Sequence, residues 1–247
     1  MKDRRALVTA ASKGLGRACA EALIAEGARV FISSRNPEAT AREIGAAGWK
    51  AADLAQQSDI ESLVEAAVEK FDGLDMLVVN AGGPPPGTFQ GTPLDAWQGG
   101  FELTLMSAVR LVKLALPQLK RSDQGRIVFI TSISVRQPLP NIAISNALRA
   151  GVTGLAKTLA RELAPDRITA NCIAPDAILT DRTRHLAAAG GGDVEETVKR
   201  MAAQAPMRRM GDPAELGAAC AFLCSRQAGY ITGQTLGIDG GSLIGVH

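Results

Sequence analysis

The stretch Thr9-Ala10-Ala11-Ser12-Lys13-Gly14-Leu15-Gly16 decides how the chain is read. It follows the apolar run Ala6 to Thr9 and opens a segment of helical period, Leu15 to Glu26. A strand that turns into a helix through glycines leaves the first N–H groups of the helix unpaired, and the helix dipole adds partial positive charge there. Such a turn suits the pyrophosphate of a dinucleotide. Two-glycine strand–helix turns are common, so the surrounding pattern has to carry the reading further.

Outward from this turn, apolar strand-like runs alternate with helical ones. Ala6 to Thr9, Ala28 to Ser33, Leu74 to Asn80, Arg126 to Thr131, Ile168 to Ile173 and Thr235 to Ile238 read as buried parallel strands, with a weaker one at Trp49 to Ala52. Between them, Leu15 to Glu26, Glu38 to Ala47, Ser58 to Phe71, Leu94 to Lys120, Ala143 to Leu163 and Pro213 to Ser225 read as helices. The alternation predicts an α/β fold: a single-domain, Rossmann-like, doubly wound parallel sheet of about seven strands with helices on both faces. The domain is expected to span residues 1–247. Asp176 to Pro206 breaks the pattern with many charges and Gly190-Gly191-Gly192. A stretch that long is expected to be a lid or substrate loop, with a disordered surface insertion as the alternative. Pro84-Pro85-Pro86 stiffens the loop after the fourth strand.

Composition narrows the function classes. A hydrophobic fraction of 46% in 247 residues can bury one large core. The formal net charge is +2 with both signs interspersed, which gives no footprint for nucleic acid or a membrane surface. No apolar run approaches the ~18 to 20 residues that span a bilayer, and Met1-Lys2-Asp3-Arg4-Arg5 leads into a short strand instead of a signal segment. A cytoplasmic protein is expected. Cys19, Cys172, Cys220 and Cys224 lack Cys-x-x-Cys spacing and sit in apolar stretches, as buried reduced thiols do. With His185 and His247 the only histidines, no metal site is expected.

Further landmarks fall in a fixed order. Asp53-Leu54 follows the third strand, Val79-Asn80-Ala81-Gly82 ends the fourth, and Asn171-Cys172-Ile173-Ala174-Pro175 ends the sixth; Tyr230-Ile231-Thr232-Gly233 and Asp239-Gly240-Gly241 close the chain. Together with the glycine turn they resemble the short-chain dehydrogenase/reductase family, in particular the branch similar to 3-oxoacyl-acyl-carrier-protein reductases, over essentially the whole chain. The resemblance implies a nicotinamide dinucleotide cofactor. Thr9, Ser12, Lys13, Gly14, Leu15 and Gly16 would surround its phosphates, with Ser34 and Arg35 at the adenosine ribose. Asp53 and Leu54 would hold the adenine and Asn80, Ala81 and Gly82 line the ribose side, while Arg149, Pro175, Ile178 and Thr180 complete the cofactor site. Asn80 as a strand-ending turn residue and Asp53 as a helix cap remain open. At the end of the second strand Ser34-Arg35 replaces the acidic residue that would accept from a ribose 2′-OH, and Lys13 lies in the phosphate loop. Two cations suit a 2′-phosphate, so NADP is preferred over NAD, the alternative being that both are merely solvated.

The resemblance also exposes a gap. In the family a Ser near the end of the fifth strand orients the substrate carbonyl, a Tyr thirteen residues on donates the proton, and a Lys four beyond lowers the Tyr pKa and binds the nicotinamide ribose. Here the Ser is Ser132, but Ser145 takes the Tyr position and Arg149 the Lys position, within Ser145-Asn146-Ala147-Leu148-Arg149. Thr104 replaces a helix Asn and Asp176 replaces the Gly after Pro175. A serine hydroxyl is a far poorer acid than a phenol of pKa ~10, and Arg149 cannot release a proton. Tyr230, the only tyrosine, matches C-terminal structure. His185 and Asp176 are the other candidate acids, each equally readable as a surface or capping residue.

Two functions follow. One is an NADP-dependent oxidoreductase, a carbonyl reductase of the 3-oxoacyl type acting on a small carbonyl or alcohol, with Ser132, Ser145 and Arg149 stabilising an alkoxide. The other is a catalytically degenerate dinucleotide-binding sensor or partner subunit. By resemblance, Leu94 to Lys120, Ala143 to Leu163 and the Ser242 to Val246 tail would build a homotetramer; packing of these faces on the sheet of one chain is the alternative.

Overall fold

Among the described residues seven parallel strands form one sheet in the order β3-β2-β1-β4-β5-β6-β7. The computed structural model describes residues 1–181, 183–184, 188 and 193–245. The strands are β1 (Arg5–Val8), β2 (Arg29–Ser34), β3 (Gly48–Ala51), β4 (Met76–Val79), β5 (Arg126–Ile130), β6 (Thr169–Pro175) and β7 (Thr235–Ile238). Around them lie α1 (Gly14–Ala25), α2 (Glu38–Ile44), α3 (Gln57–Phe71), α4 (Leu94–Phe101), α5 (Ser107–Arg121), α6 (Ala143–Glu162), α7 (Val194–Gln204) and α8 (Pro213–Cys224). Every residue of β4, β5 and β6 is buried, which is why these strands read as largely apolar runs, Arg126, Thr169 and Asn171 being their buried polar members.

Two cores sandwich the sheet. Leu63, Val64 and Ala67 of α3, Leu111 and Ala115 of α5 and Val152 and Ala156 of α6 pack on one face. Cys19 and Leu23 of α1 with Leu216, Cys220 and Leu223 of α8 cover the other. The doubly wound arrangement expected from the sequence is therefore present. Strand order reverses between β1 and β4, so a crevice opens beyond their C-terminal ends, the place where such sheets bind ligands.

Two elements differ from expectation. The segment Leu94 to Lys120 is not one α-helix: a π-helical turn at Glu102–Met106 separates α4 from α5. The stretch Asp176 to Pro206 contains α7, whose start is capped by Asp193 Oδ1 accepting from the N–H groups of Glu195 and Glu196. None of its residues is buried, although Val194, Val198, Met201 and Ala202 recur at helical spacing. Gly190, Gly191 and Gly192 lie outside the described residues, as do Arg182, His185 and the end of the tail at Val246.

The edge of the sheet opposite the crevice is tied by charge. Asp75 accepts from Arg5 Nε (2.9 Å), Arg5 Nη2 (2.8 Å), Arg5 N (2.9 Å) and Ser122 Oγ (2.7 Å). Burial pushes the Asp75 carboxyl up, but these donors outweigh it and hold the pKa at about 2. The four cysteines are buried and free. Burial raises Cys172 to about 11, well away from nucleophilic reactivity. Among the described residues no helix is long and apolar enough to cross a membrane, and no group of three or more His, Cys, Asp or Glu could hold a metal ion.

Candidate active site

The turn between β1 and α1 is locked to the end of β4. Thr9 Oγ1 donates to the Asn80 carbonyl (2.7 Å) and accepts from Asn80 N (3.0 Å), and Asn80 Nδ2 donates to the Ala10 carbonyl (3.1 Å). Gly16 packs into this joint so closely that a β-carbon there would stand 2.4 Å from Ala10 O and 2.7 Å from Asn80 Nδ2. Gly14 has φ +56°, a left-handed conformation that favours glycine, and Thr180 closes over it, 3.6 Å from where a β-carbon would lie. Ala10, where the family resemblance leads one to expect glycine, also sits at positive φ (47°). Lys13 precedes α1 without capping it by a side-chain hydrogen bond, so the helix N-terminus keeps donors for an anion.

Around this cradle the adenosine-side residues divide. Lys13 and Arg35 are exposed, and no acidic side chain engages either among the described residues. Arg17, the next cation, is already paired with Glu21 (2.8 Å) and Glu43 (2.5 Å). Ser34 Oγ accepts from Asn36 N (3.1 Å), a bond within its own turn. Asp53 Oδ1 accepts from Ala55 N (2.9 Å) in a local turn ahead of α3, whose N-cap position is Gln56, so Asp53 is not the helix cap that the sequence left open, while Leu54 is buried beside it. Ala81 and Gly82 continue past Asn80, with Gly82 facing Leu103 of the π-helical turn. At the far side of the crevice Pro175 ends β6, and Ile178 bridges to Gly211.

Ser132 and Arg149 meet at the turn after β5. Ser132 follows that strand in extended conformation, and its Oγ accepts from Ser134 N (3.1 Å), capping the 3-10 turn Ile133–Val135. Ser145 lies in the first turn of α6 and is partly exposed. Arg149, one turn further, sends Nη1 to the carbonyls of Ile130 (2.8 Å) and Thr131 (3.2 Å). Asn146, to which sequence reasoning gave no role, donates Nδ2 to Leu139 O (2.8 Å) and accepts from Leu139 N (3.4 Å). Asn146 and Arg149 therefore grip both ends of the segment that carries Ser132. The only hint of this in the sequence was a polar pair three apart on a helix.

The remaining candidates are scattered. Thr104 is buried within the π-helical turn and its Oγ1 has no hydrogen-bond partner. Asp176 sits past β6, its N–H donating to Ile238 O (3.2 Å). Tyr230 is fully exposed beside Gly229, which approaches Arg126 at the start of β5, the edge opposite Ser132. His185 lies outside the described residues.

A family profile described as enoyl-(acyl carrier protein) reductase matches residues 9–242. The 3-oxoacyl-(acyl-carrier-protein) reductase FabG of Vibrio cholerae is 36% identical over 246 residues, covering 98% of this chain and 98% of its own. The NADPH-dependent reductase YwfH, involved in bacilysin biosynthesis, superposes with a TM-score of 0.94 at 29% identity, covering 99% of this chain and 100% of its own. The L-sorbose reductase of Gluconobacter frateurii, solved with NADPH and L-sorbose, gives 0.92 at 32% identity over 100% of this chain and 98% of its own.

Proposed function

The chain belongs to the short-chain dehydrogenase/reductase family of NAD(P)-dependent oxidoreductases, and we propose that it is an NADP-dependent reductase of a 3-oxoacyl-type carbonyl, working without a tyrosine acid. The observation that carries this reading is the cradle of Gly14, at positive φ, and Gly16, where a β-carbon would strike Ala10 O and Asn80 Nδ2. A turn drawn that tight beside an uncapped helix N-terminus has the shape and donors of a pyrophosphate site. When bound, the dinucleotide supplies the hydride.

This chain's residues do the rest. Thr9, Ser12, Gly14, Leu15, Gly16 and Asn80 shape the phosphate turn, and Thr180 with Ile178 and Pro175 forms the opposite wall. Lys13 and Arg35, free of acidic partners among the described residues, meet a 2′-phosphate beside Ser34. Asp53, Leu54, Ala81 and Gly82 border the adenine and its ribose. Ser132 and Ser145 donate hydrogen bonds to the substrate oxygen as negative charge develops there. Arg149 acts on Ser132 by fixing the carbonyls of Ile130 and Thr131 beneath it. The segment from 176 to 206 serves as the lid, and the chain assembles as a cytoplasmic homotetramer through the faces of α5 and α6.

The Arg149 anchorage also favours a second reading, a dinucleotide sensor or partner subunit, because a guanidinium passes on no proton and this one is held on the Ile130 and Thr131 carbonyls. Titration with NADPH and NADH by nicotinamide fluorescence, followed by NADPH oxidation with β-keto thioesters, tests both. NADPH should bind about 10- to 100-fold tighter, the worth of one charge-assisted contact, and Arg35→Ala should remove most of that margin. Equal affinities would refute the NADP assignment, and tight binding without turnover of any carbonyl would favour the sensor.

A further inference from the structure

Beside the candidate active site stands an aromatic pair that nothing in the fold consumes. Phe89, in the loop after β4, and Trp97 of α4 meet edge to face with centroids 6.1 Å apart at 70°. Phe89 is nonetheless 75% exposed and the neighbouring Leu94 86% exposed. Trp97 is half-buried, and its ring makes the one aromatic contact Phe89 has among the described residues, so Phe89 and Leu94 forgo burial that the two cores achieve elsewhere. Their position is fixed by two contacts with α6. Gly87 N donates to Asn141 O (2.8 Å) and Ala143 N donates to Gly87 O (3.1 Å), which holds the Phe89 loop against the residue that begins Ser145's helix. Gly100, three residues after Trp97 on α4, packs so tightly on Ile144 and Leu148 that a β-carbon would lie 2.5 Å from Ile144 and 3.4 Å from Leu148. Those two side chains flank Ser145 along α6. The aromatic pair is therefore on the rim next to the Ser145 turn.

We propose that Phe89 and Trp97, with Leu94, form an apolar lip that binds the hydrocarbon part of the carbonyl substrate, selecting for an extended aliphatic chain. This rests on the reductase reading of the same site. The chemistry argues for it independently. With no phenol at position 145, turnover depends on holding the carbonyl in place, and remote binding energy is what accomplishes such positioning. An apolar wall beside a few convergent hydroxyls is the usual make-up of a small-molecule site.

The test uses fluorescence and needs no turnover. The chain has two tryptophans, so Trp49→Phe, a change at the distant β3 edge, leaves Trp97 as the sole indole. The probes are S-decanoyl-N-acetylcysteamine, a saturated thioester with no ketone to reduce, and its S-acetyl counterpart, each titrated with and without NADPH. The decanoyl probe should shift Trp97 emission to the blue and saturate, the acetyl probe should not, and Phe89→Ala should weaken the decanoyl probe about tenfold while NADPH affinity is unchanged. Unmoved Trp97 emission, equal response to both probes, or an unaffected Phe89→Ala variant would overturn the lip. So would emission that tracks protein concentration together with a rise in mass by light scattering, since a second copy would then cover the pair. Decanoyl binding in a protein that fails to bind NADPH would leave the lip standing and remove the reductase reading; NADPH binding with a silent Trp97 would do the reverse.

Discussion

Replacing Arg149 by methionine separates the two jobs this residue can have. Its Nη1 donates to Ile130 O at 2.8 Å and to Thr131 O at 3.2 Å, across a strand end that the chain leaves just before Ser132. A hydrogen bond from a charged donor contributes ~1.5 to 3 kcal/mol net, and two bonds shared by one nitrogen, the second longer, are worth about 2 kcal/mol together. In a domain of this size 1 kcal/mol moves the melting temperature by ~2 to 4 °C, so Arg149→Met should melt about 4 to 8 °C below wild type. Lysine reaches the same carbonyls with a point charge in place of a planar fork and should recover about half of that. Hydrogen exchange locates the loss: amides from Thr131 to Arg136 should exchange faster while those of β1 do not. The family-like alternative, an Arg149 that holds the nicotinamide ribose, predicts the opposite ranking, with an unaltered melt and weakened NADPH binding. A melting temperature within about 1 °C of wild type, with exchange at 131–136 unchanged, would refute the clamp.

Restoring a phenol and its cation by Ser145→Tyr with Arg149→Lys should raise β-keto thioester reduction by 10²- to 10⁴-fold, the usual yield of a general acid, and the quadruple change adding Asp176→Gly and Thr104→Asn covers the case of a reshaped pocket; a slower revertant would mean that the two native residues are a working alternative. The Asp75 carboxyl, held at about 2 against an ordinary value of 3.8, contributes its stability above pH ~4 and loses it as pH falls from 4 towards 2, about 2 kcal/mol in all. Urea unfolding of wild type and Asp75→Asn at pH 5 and pH 2.5 checks this, and identical pH slopes would contradict it. Light scattering after size exclusion should return a mass near that of ~4 chains if α5 and α6 pair across two-fold axes, and a clean monomer at micromolar concentration would exclude that assembly.

What the sequence made legible follows from where burial is complete. Thr235 to Ile238 was read with both of its observed ends, and β4, β5 and β6 shifted by only a residue or two, because buried parallel strands announce themselves as apolar runs. The π-helical turn at Glu102–Met106 left no trace, since one extra residue per turn barely disturbs a helical apolar period over a single turn. Helix α7 was legible in Asp193, Glu195 and Glu196 at its start and in the spacing of Val194, Val198 and Met201, but the glycine run before it drew the whole stretch into a loop reading. In the site, the order of landmarks was legible but the contacts were not. That Arg149 would bond the backbone 18 and 19 residues earlier, and Asn146 the backbone of Leu139, depends on how the 130–142 segment curls over α6, which no local pattern encodes.

The same contacts bear on how a reductase could dispense with tyrosine. Removing one preorganised donor from an oxyanion site costs ~10²- to 10³-fold, while a general acid contributes ~10²- to 10⁴-fold, so the two devices are comparable in size. Two hydroxyls aimed at the developing alkoxide can thus replace most of what one phenol supplies, provided they are rigid before the reaction begins. Ser132 satisfies that condition through Ser134 N on one side and the Arg149 grip on the Ile130 and Thr131 carbonyls on the other. Neither a serine hydroxyl nor a guanidinium titrates near neutrality, so the proton of such a reductase would come from water or from a lid residue. The unpaired, buried Oγ1 of Thr104 marks one polar place in the adjoining turn that a water molecule would satisfy. A reductase built this way trades a tuned acid for fixed donors, and with water as the proton source its rate should carry no ionisation of its own between pH 6 and 9, where a lowered tyrosine or a lid histidine would have left one.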